Sequence, residues 1–328
     1  MHIPDGYLSP ASCAALYAGA APFWYLSLLR MKRAFDTQMV PLLSVFAAFS
    51  FIIMMFNLPL PGGTTGHAVG VGIAAIVLGP WASILGISIA IVIQAVFFGD
   101  GGITTIGANC FNMAIIGSLA AYVIYRALSG RASITSARRV IAAGLAGYVA
   151  INLAALAAAI EFGIQPLLYQ DASGAPLYAP YPLRIAIPAM MIGHLTIAGL
   201  AEMVVSAGVV AYLQRSEPSL LKRTAPGAAE ISGAPGNLRP LWFALAGLLI
   251  LTPLGILATG AAWAETPPSP APRGLRALSS FWTAPMPRYA PPFLKSPAFG
   301  YLLSAMAGTG LILLVTLFAG LLVRRRSG

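Results

Sequence analysis

Nine apolar stretches, parted by short polar or glycine- and proline-marked breaks, leave this sequence few folds to choose from. They run roughly over 9–29, 39–57, 67–79, 81–98, 105–125, 140–160, 186–213, 240–262 and 298–323. Most approach the ~20 residues that a helix needs to cross a hydrocarbon core. Unpaired backbone groups are too costly there for open sheet or irregular chain, so the stretches are read as helices. Segment 67–79 is short, and Gly79-Pro80 parts it from the next. It is expected either as a thin crossing or as a re-entrant piece shielded by its neighbours. Composition agrees, because Asp, Glu, Lys and Arg make up only 9% of the residues. A soluble surface draws on about a quarter. The expected fold class is an all-α polytopic membrane protein.

The net charge of +10 would suggest nucleic acid if the basic residues formed a stripe. They lie instead in short clusters between apolar runs, so no nucleic-acid partner is expected. With nine crossings and the N-terminus outside, 14 of the 19 basic residues fall in inner loops. The outer ones are Arg184, Arg273, Arg276, Arg288 and Lys295. This bias is the one that membrane insertion imposes, and it favours counting 67–79 as a crossing. Met1–Leu8 carries no positive charge, and Arg30, Lys32 and Arg33 follow the first apolar run, the reverse of a secretory signal. The expected location is the inner (cytoplasmic) membrane, multi-pass, with the N-terminus outside and the C-terminus inside. Residues 1–216 read as a seven-helix substrate-binding bundle, 217–239 as a cytoplasmic linker, and 240–328 as a two-helix C-terminal extension. Glu217–Leu238, rich in Pro, Gly, Ala and Ser, is expected to be flexible. The outer loop Glu265–Pro297 carries many prolines with Phe281, Trp282, Tyr289 and Phe293. It is expected semi-extended near the membrane surface.

Three histidines, His2, His67 and His194, are the scarcest informative residues. Removal of an initiator methionine needs a small neighbour, so Met1 is expected to stay ahead of the bulky His2. The Met1 amine and the His2 amide nitrogen then close a five-membered chelate on a metal ion. That amide nitrogen and Nδ1 of the His2 ring close a six-membered one. Three nitrogens lie near one plane, and a fourth completes a square. A d⁸ Ni²⁺ ion gains most from such a field, Co²⁺ can use it less rigidly, and Zn²⁺ prefers a tetrahedron. His67, on the same membrane side as the N-terminus, is the best candidate for the fourth ligand. Pro59-Leu60-Pro61-Gly62-Gly63 permits a tight non-helical descent to it, and Pro4 and Gly6 favour a turn around Asp5. Taken singly, each histidine has a blander use, as an exposed residue or a hydrogen-bonding cap.

His194 shares a helical face with Ala198 and Glu202. Polar residues at membrane depth are expensive unless they face the bundle interior. His194 is open to three readings: structural hydrogen bonding, gating, or direct ligation. Glu202 can pair with a base or hold a proton. Asn57, Gln94, Thr104, Thr105, Asn109 and Asn112 cluster at outer helix ends. Such groups can orient a ligating imidazole, or simply cap helices and join them. Cys13 and Cys110 read as small apolar residues. The Gly99-Asp100-Gly101-Gly102 run lacks the Gly-Lys-Ser/Thr of a phosphate loop. With no nucleotide site, nucleophile elbow or HExxH helix in view, the chain does not read as an enzyme, and ATP-driven transport needs a separate ATPase.

The opening Met1-His2-Ile3-Pro4-Asp5-Gly6-Tyr7-Leu8-Ser9-Pro10 resembles the N-terminus of the nickel/cobalt-specific membrane components of energy-coupling-factor uptake transporters. So do Pro61-Gly62-Gly63-Thr64-Thr65-Gly66-His67 and the run from Gln94 to Asn109. The resemblance spans about 1–213 and is specific, since several rare strings recur in order. In that family the terminal amine, the second-residue amide and imidazole, and a histidine before the third helix bind the ion. These map onto Met1, His2 and His67. Thr65 stands where many relatives have serine, and keeps the hydroxyl. From about Leu241 the tail resembles the two-helix accessory component, on Thr252-Pro253-Leu254-Gly255 and Ala284-Pro285-Met286-Pro287-Arg288-Tyr289. It departs from the pattern after Trp263, where only Glu265 is acidic.

The resemblance implies capture of Ni²⁺ or Co²⁺ as transported substrate, with no cofactor. It implies as partners a transmembrane coupling protein, a pair of cytoplasmic ATPase subunits and the lipid bilayer around the membrane helices. Release inward would require distorting the nitrogen square, and withdrawal of the N-terminal segment from His67 is one route. Two other classes compete. A self-contained secondary metal carrier would want an ionisable route through the bilayer, for which only His194, Glu202 and Glu161 offer material. A membrane metalloenzyme would need an open coordination position with an acid or base such as Asp5 or Asp100.

Overall fold

The computed structural model describes residues 1–34, 39–60, 64–225, 238–258, 263 and 267–325. Pro61-Gly62-Gly63, most of the linker, and Glu265 lie outside them. Each of the nine apolar stretches contains helix. α1 (Pro10–Ala34) and α2 (Met39–Met54) are followed by a small antiparallel hairpin, β1 (Leu58–Leu60) and β2 (Thr64–Gly66). α3 (Val71–Leu78) and α4 (Pro80–Ile93) flank Gly79, whose φ of 78° suits a residue without Cβ. α5 (Ile106–Asn109) leads to α6 (Gly117–Ser129), then come α7 (Ala137–Leu168), α8 (Leu183–Gly193) and α9 (Gly199–Ser216). The tail has α10 (Arg239–Leu251), α11 (Arg273–Ser279) and α12 (Pro297–Arg325).

Among the described residues, seven helices are long and apolar enough to cross a bilayer, while α2 has 16 residues. Their outward faces are apolar: Val204, Phe243 and Leu257 are each at least 70% exposed. Such surfaces suit lipid and would be a liability in water. The chain is an all-α polytopic membrane protein.

The short segment is resolved by the packing. α3 has eight residues, all buried, and at 1.5 Å per residue covers only about 12 Å. Its first turn lies beside Glu202, and its last carbonyls meet the far end, where the Thr224 hydroxyl donates to the Ile76 carbonyl at 2.6 Å. The non-helical residues 67–70, all buried, join it to β2, so the helix is entered through buried chain. α7 is the long central strut. Ala142, Ala143, Ala146, Ala150, Ala154 and Ala158 recur on its buried side and let α6, α8 and α9 approach closely.

Two loop expectations fail. Pro218–Thr224, expected as flexible linker, is a 3₁₀ helix with Leu221 and Thr224 buried. The tail loop, expected semi-extended, instead contains the α11 helix and a 3₁₀ turn at Pro287–Tyr289. It folds over the bundle end that carries the N-terminus, through Met286 N–H to the Phe97 carbonyl (3.0 Å) and Leu275 N–H to the Leu177 carbonyl (3.1 Å). Tyr289, Leu275 and Ala284 are buried there, although Phe281, Trp282 and Phe293 stay exposed.

Three helices widen into π-helical turns, at Gln94–Phe98, Cys110–Ile116 and His194–Ala198. Such turns displace side chains from the regular helical face and are frequent at functional sites.

Candidate metal-binding site

The N-terminus folds inward. Met1, His2 and Ile3 are all buried, His2 at 1% exposure. The Ile3 N–H donates to Asn109 Oδ1 at 2.8 Å, and its carbonyl accepts from Gly102 N–H, Asn109 Nδ2 and the Thr105 hydroxyl. The Asp5 carboxylate accepts from the Ile103 and Thr104 N–H groups at 3.1 and 2.8 Å. Gly6, at φ 87°, turns the chain where any Cβ would strike the Leu275 carbonyl of the tail. Farther on, Ser9 N–H donates to Gln165 Oε1 at 3.0 Å. The segment is thus laced to the 99–109 loop through the Ile3 main chain and the Asp5 carboxylate, beside residues 1 and 2.

His67 follows β2 and is buried beside them. The His2 and His67 ring centroids are 5.1 Å apart, with the rings tilted by 33°. With metal–nitrogen bonds of about 2 Å, one ion can reach both ring edges. The His67 Nδ1 lies 3.1 Å from the Ala68 carbonyl. The structure therefore brings Met1, His2 and His67, remote in sequence, to one buried point.

Sequence reasoning missed what Asp100 does here. His2 Nδ1, the proposed chelating nitrogen, lies 3.0 Å from Asp100 Oδ1, a close approach not aligned as a hydrogen bond. Asp100 Oδ2 accepts from the Tyr289 hydroxyl at 2.6 Å, and Gln94 Nε2 donates to the same hydroxyl at 2.9 Å. Burial alone would raise the Asp100 carboxyl. The adjacent His2 ring, with His67 and the Tyr289 hydroxyl, instead holds it well below the usual carboxylate range. A fixed negative charge thus sits beside the two imidazoles. Tyr289 reaches it from the tail with a backbone φ of 60°, next to Arg288 at 53°. Two successive non-glycine residues in this region are costly to hold. Stacking of Tyr289 on Phe98 (4.9 Å) and the bond from Ser304 Oγ to its carbonyl (3.1 Å) secure the turn. The signal available in sequence was an aspartate in a glycine-rich turn beside an apolar helix.

A cavity of about 340 Å³ opens between bundle and tail, with His67, Asp100, Arg288, Tyr289 and Tyr301 in its wall. At about 30 Å³ per water, it can hold a divalent ion with its first hydration shell.

Of the two uses open to the polar cluster, the bonds favour joining segments over orienting a ligand. Among the described bonds, Thr105 and Asn109 hold the Ile3 main chain and Gln94 serves Tyr289, while Asn112 donates to Glu161 at 2.8 Å. None of these orients an imidazole. The His194 Nδ1 lies 2.8 Å from the Met190 carbonyl, and its buried Nε2 has no hydrogen-bond partner among the described residues. Cys13 and Cys110 are buried and unpaired.

Residues 2–220 match the CbiM family model, described as the cobalt uptake substrate-specific transmembrane region. The fused nickel transport protein NikMN of Rhodobacter capsulatus is 52% identical over the full length of both chains. The probable fused nickel transport protein LarMN of Lactiplantibacillus plantarum is 43% identical over 82% of this chain and 78% of its own. A solved structure, of a truncated transition metal transporter, aligns at TM-score 0.61 and 50% identity over 65% of this chain and 98% of its own. This chain belongs to the CbiM family of cobalt uptake substrate-specific transmembrane proteins.

Proposed function

We propose that this chain, a substrate-specific component of nickel or cobalt transport, captures Ni²⁺ or Co²⁺ at the outer membrane face and passes it inward within an ATP-driven energy-coupling-factor complex. The Met1 amine, the His2 amide nitrogen, the His2 ring and the His67 ring form its ligand set. The observation that carries this reading is burial of the N-terminus against His67, with Asp100 alongside. A deprotonated amide and the Asp100 carboxylate together match the two positive charges of the ion. The buried site then closes at neutrality, which removes the main cost of desolvating a cation.

The basic residues distribute as the proposed orientation requires. Arg184, Arg273, Arg276, Arg288 and Lys295 belong to the site end, taken as outside, and Arg30 and Arg138 to the opposite one. A transmembrane coupling protein and cytoplasmic ATPase subunits would supply the work of release. Residues 1–216 would bind the ion, and 240–328 would act as an accessory part that roofs the outer cavity.

Asp100→Asn tests the charge argument. The change keeps size and removes the anion, so Ni²⁺ affinity by competition titration is expected to fall roughly 10-fold. Unchanged affinity would contradict neutralisation by this carboxylate. Transport itself is tested by radiolabelled nickel uptake into vesicles bearing this chain with or without its partners. Uptake is expected only with coupling protein, ATPase subunits and ATP together. Uptake by the chain alone, indifferent to ATP, would instead establish a self-contained carrier.

A further inference from the structure

Glu202 is a completely buried carboxylate in α9, and the ligand set just described does not use it. Its Oε2 accepts from the Val69 and Gly70 N–H groups at 2.7 and 2.9 Å, and its Oε1 from the Gly72 N–H at 3.1 Å. These donors begin two residues after His67 and include the first turn of α3, where helix N–H groups lack intrahelical acceptors and favour an anion. From the other side Ser50 Oγ donates to the Val69 carbonyl at 2.6 Å. Gly70 makes the turn at φ 73°, and at Gly72 a Cβ would meet the Ser206 hydroxyl and Gly147. The turn that presents His67 is therefore seated on α9.

We infer that Glu202 is a positioning residue for His67, and that α9 is the element through which the opposite membrane face acts on the ligand set. The stretch after Glu202 also holds the other end of α3, through the Thr224 hydroxyl on the Ile76 carbonyl. Between these grips α9 extends from Glu202 to Ser216, about 21 Å at helical rise. Gln214 Nε2 ties its last turn to the Ile134 and Ser136 carbonyls of the α6–α7 loop, at 2.7 and 2.9 Å. One continuous piece of chain thus grips both ends of the short helix that follows the His67 turn. Displacing it at the far face draws the His67 turn with it and opens the nitrogen square, while the chelate at residues 1 and 2 stays on its own loop. Glu202 here is an acceptor for main-chain N–H groups, neither a proton store nor a ligand.

This inference rests on His67 being a ligand, so the experiment separates the two claims by a double-mutant cycle on the full-length protein. Ni²⁺ affinity and the visible absorption of the bound ion are measured for the unmodified chain, His67→Ala, Glu202→Gln and the double variant. Glu202→Gln leaves one oxygen and turns an amide donor toward donors. It is expected to weaken binding 10- to 100-fold and to shift the absorption to longer wavelength, the same direction expected of His67→Ala. In the His67→Ala background it should add nothing, whereas a merely structural role would weaken both backgrounds alike. If Glu202→Gln does not purify as a folded protein, Glu202→Asp keeps the charge but withdraws the oxygens, and an intermediate loss with the same cycle is expected. A weakened His67→Ala beside an unaffected or additive Glu202 variant overturns the positioning role. An unaffected His67→Ala overturns the ligand assignment.

Discussion

One glycine added ahead of Met1 is expected to lower Ni²⁺ affinity by roughly 100-fold or more, about 2.8 kcal/mol. The extension keeps every side chain of the protein. It moves the primary amine one residue away and replaces it with a peptide nitrogen whose carbonyl competes for its electrons. It also demands space where Met1 and His2 are already buried, with the His2 side chain against Gly101. The five-membered chelate is lost, and any new amine must find a path in a pocket with little slack. Isothermal titration of the purified chain, with cleavable and uncleaved leader sequences, measures this directly. Affinity restored on cleavage would separate loss of the amine from damage to the fold. An extended protein that binds as tightly as the original would remove the amine from the ligand set.

His67→Ala is expected to weaken binding by about 10³-fold, near 4 kcal/mol. His2→Ala should weaken it at least as much. Their residual behaviour differs. Without His67 the amine, amide and His2 ring remain, so the ion should still bind, with water in the fourth position and a weaker planar field. Without the His2 ring the six-membered chelate is gone and His67 alone cannot organise the rest. Absorption spectra of the two variants at saturating nickel should therefore differ, with His67→Ala keeping a shifted planar spectrum and His2→Ala losing it. Identical spectra would argue that the two rings are interchangeable, contrary to the chelate geometry.

What sequence revealed and what it hid follow one physical division. Apolar length and proline–glycine breaks reported the helices directly, because lipid leaves the chain no other way to satisfy its backbone. The short 67–79 segment was visible as an ambiguity, and its resolution depended on how the preceding extended chain packs. His2 and His67 were legible because histidine is rare here and because the neighbouring strings resemble a known family. Contacts between side chains and backbone left no comparable trace. Thr105 and Asn109 read as groups that orient an imidazole or cap and join helices, and they grip the Ile3 main chain. Glu202 was open to pairing with a base or holding a proton, and it accepts from backbone N–H groups. The Tyr289–Asp100 bond joins positions 189 residues apart and depends on an unusual backbone turn that composition does not announce. Pro218–Thr224 misled for a related reason, since its proline and polar residues mask the Leu221 that buries it against the bundle.

X-ray absorption at the nickel edge, on the loaded full-length protein, addresses the shared ion most directly. A planar shell of nitrogen donors, with an imidazole contribution that drops by one ring in His67→Ala, is the predicted result. A six-coordinate, oxygen-rich shell indifferent to that substitution would contradict the account.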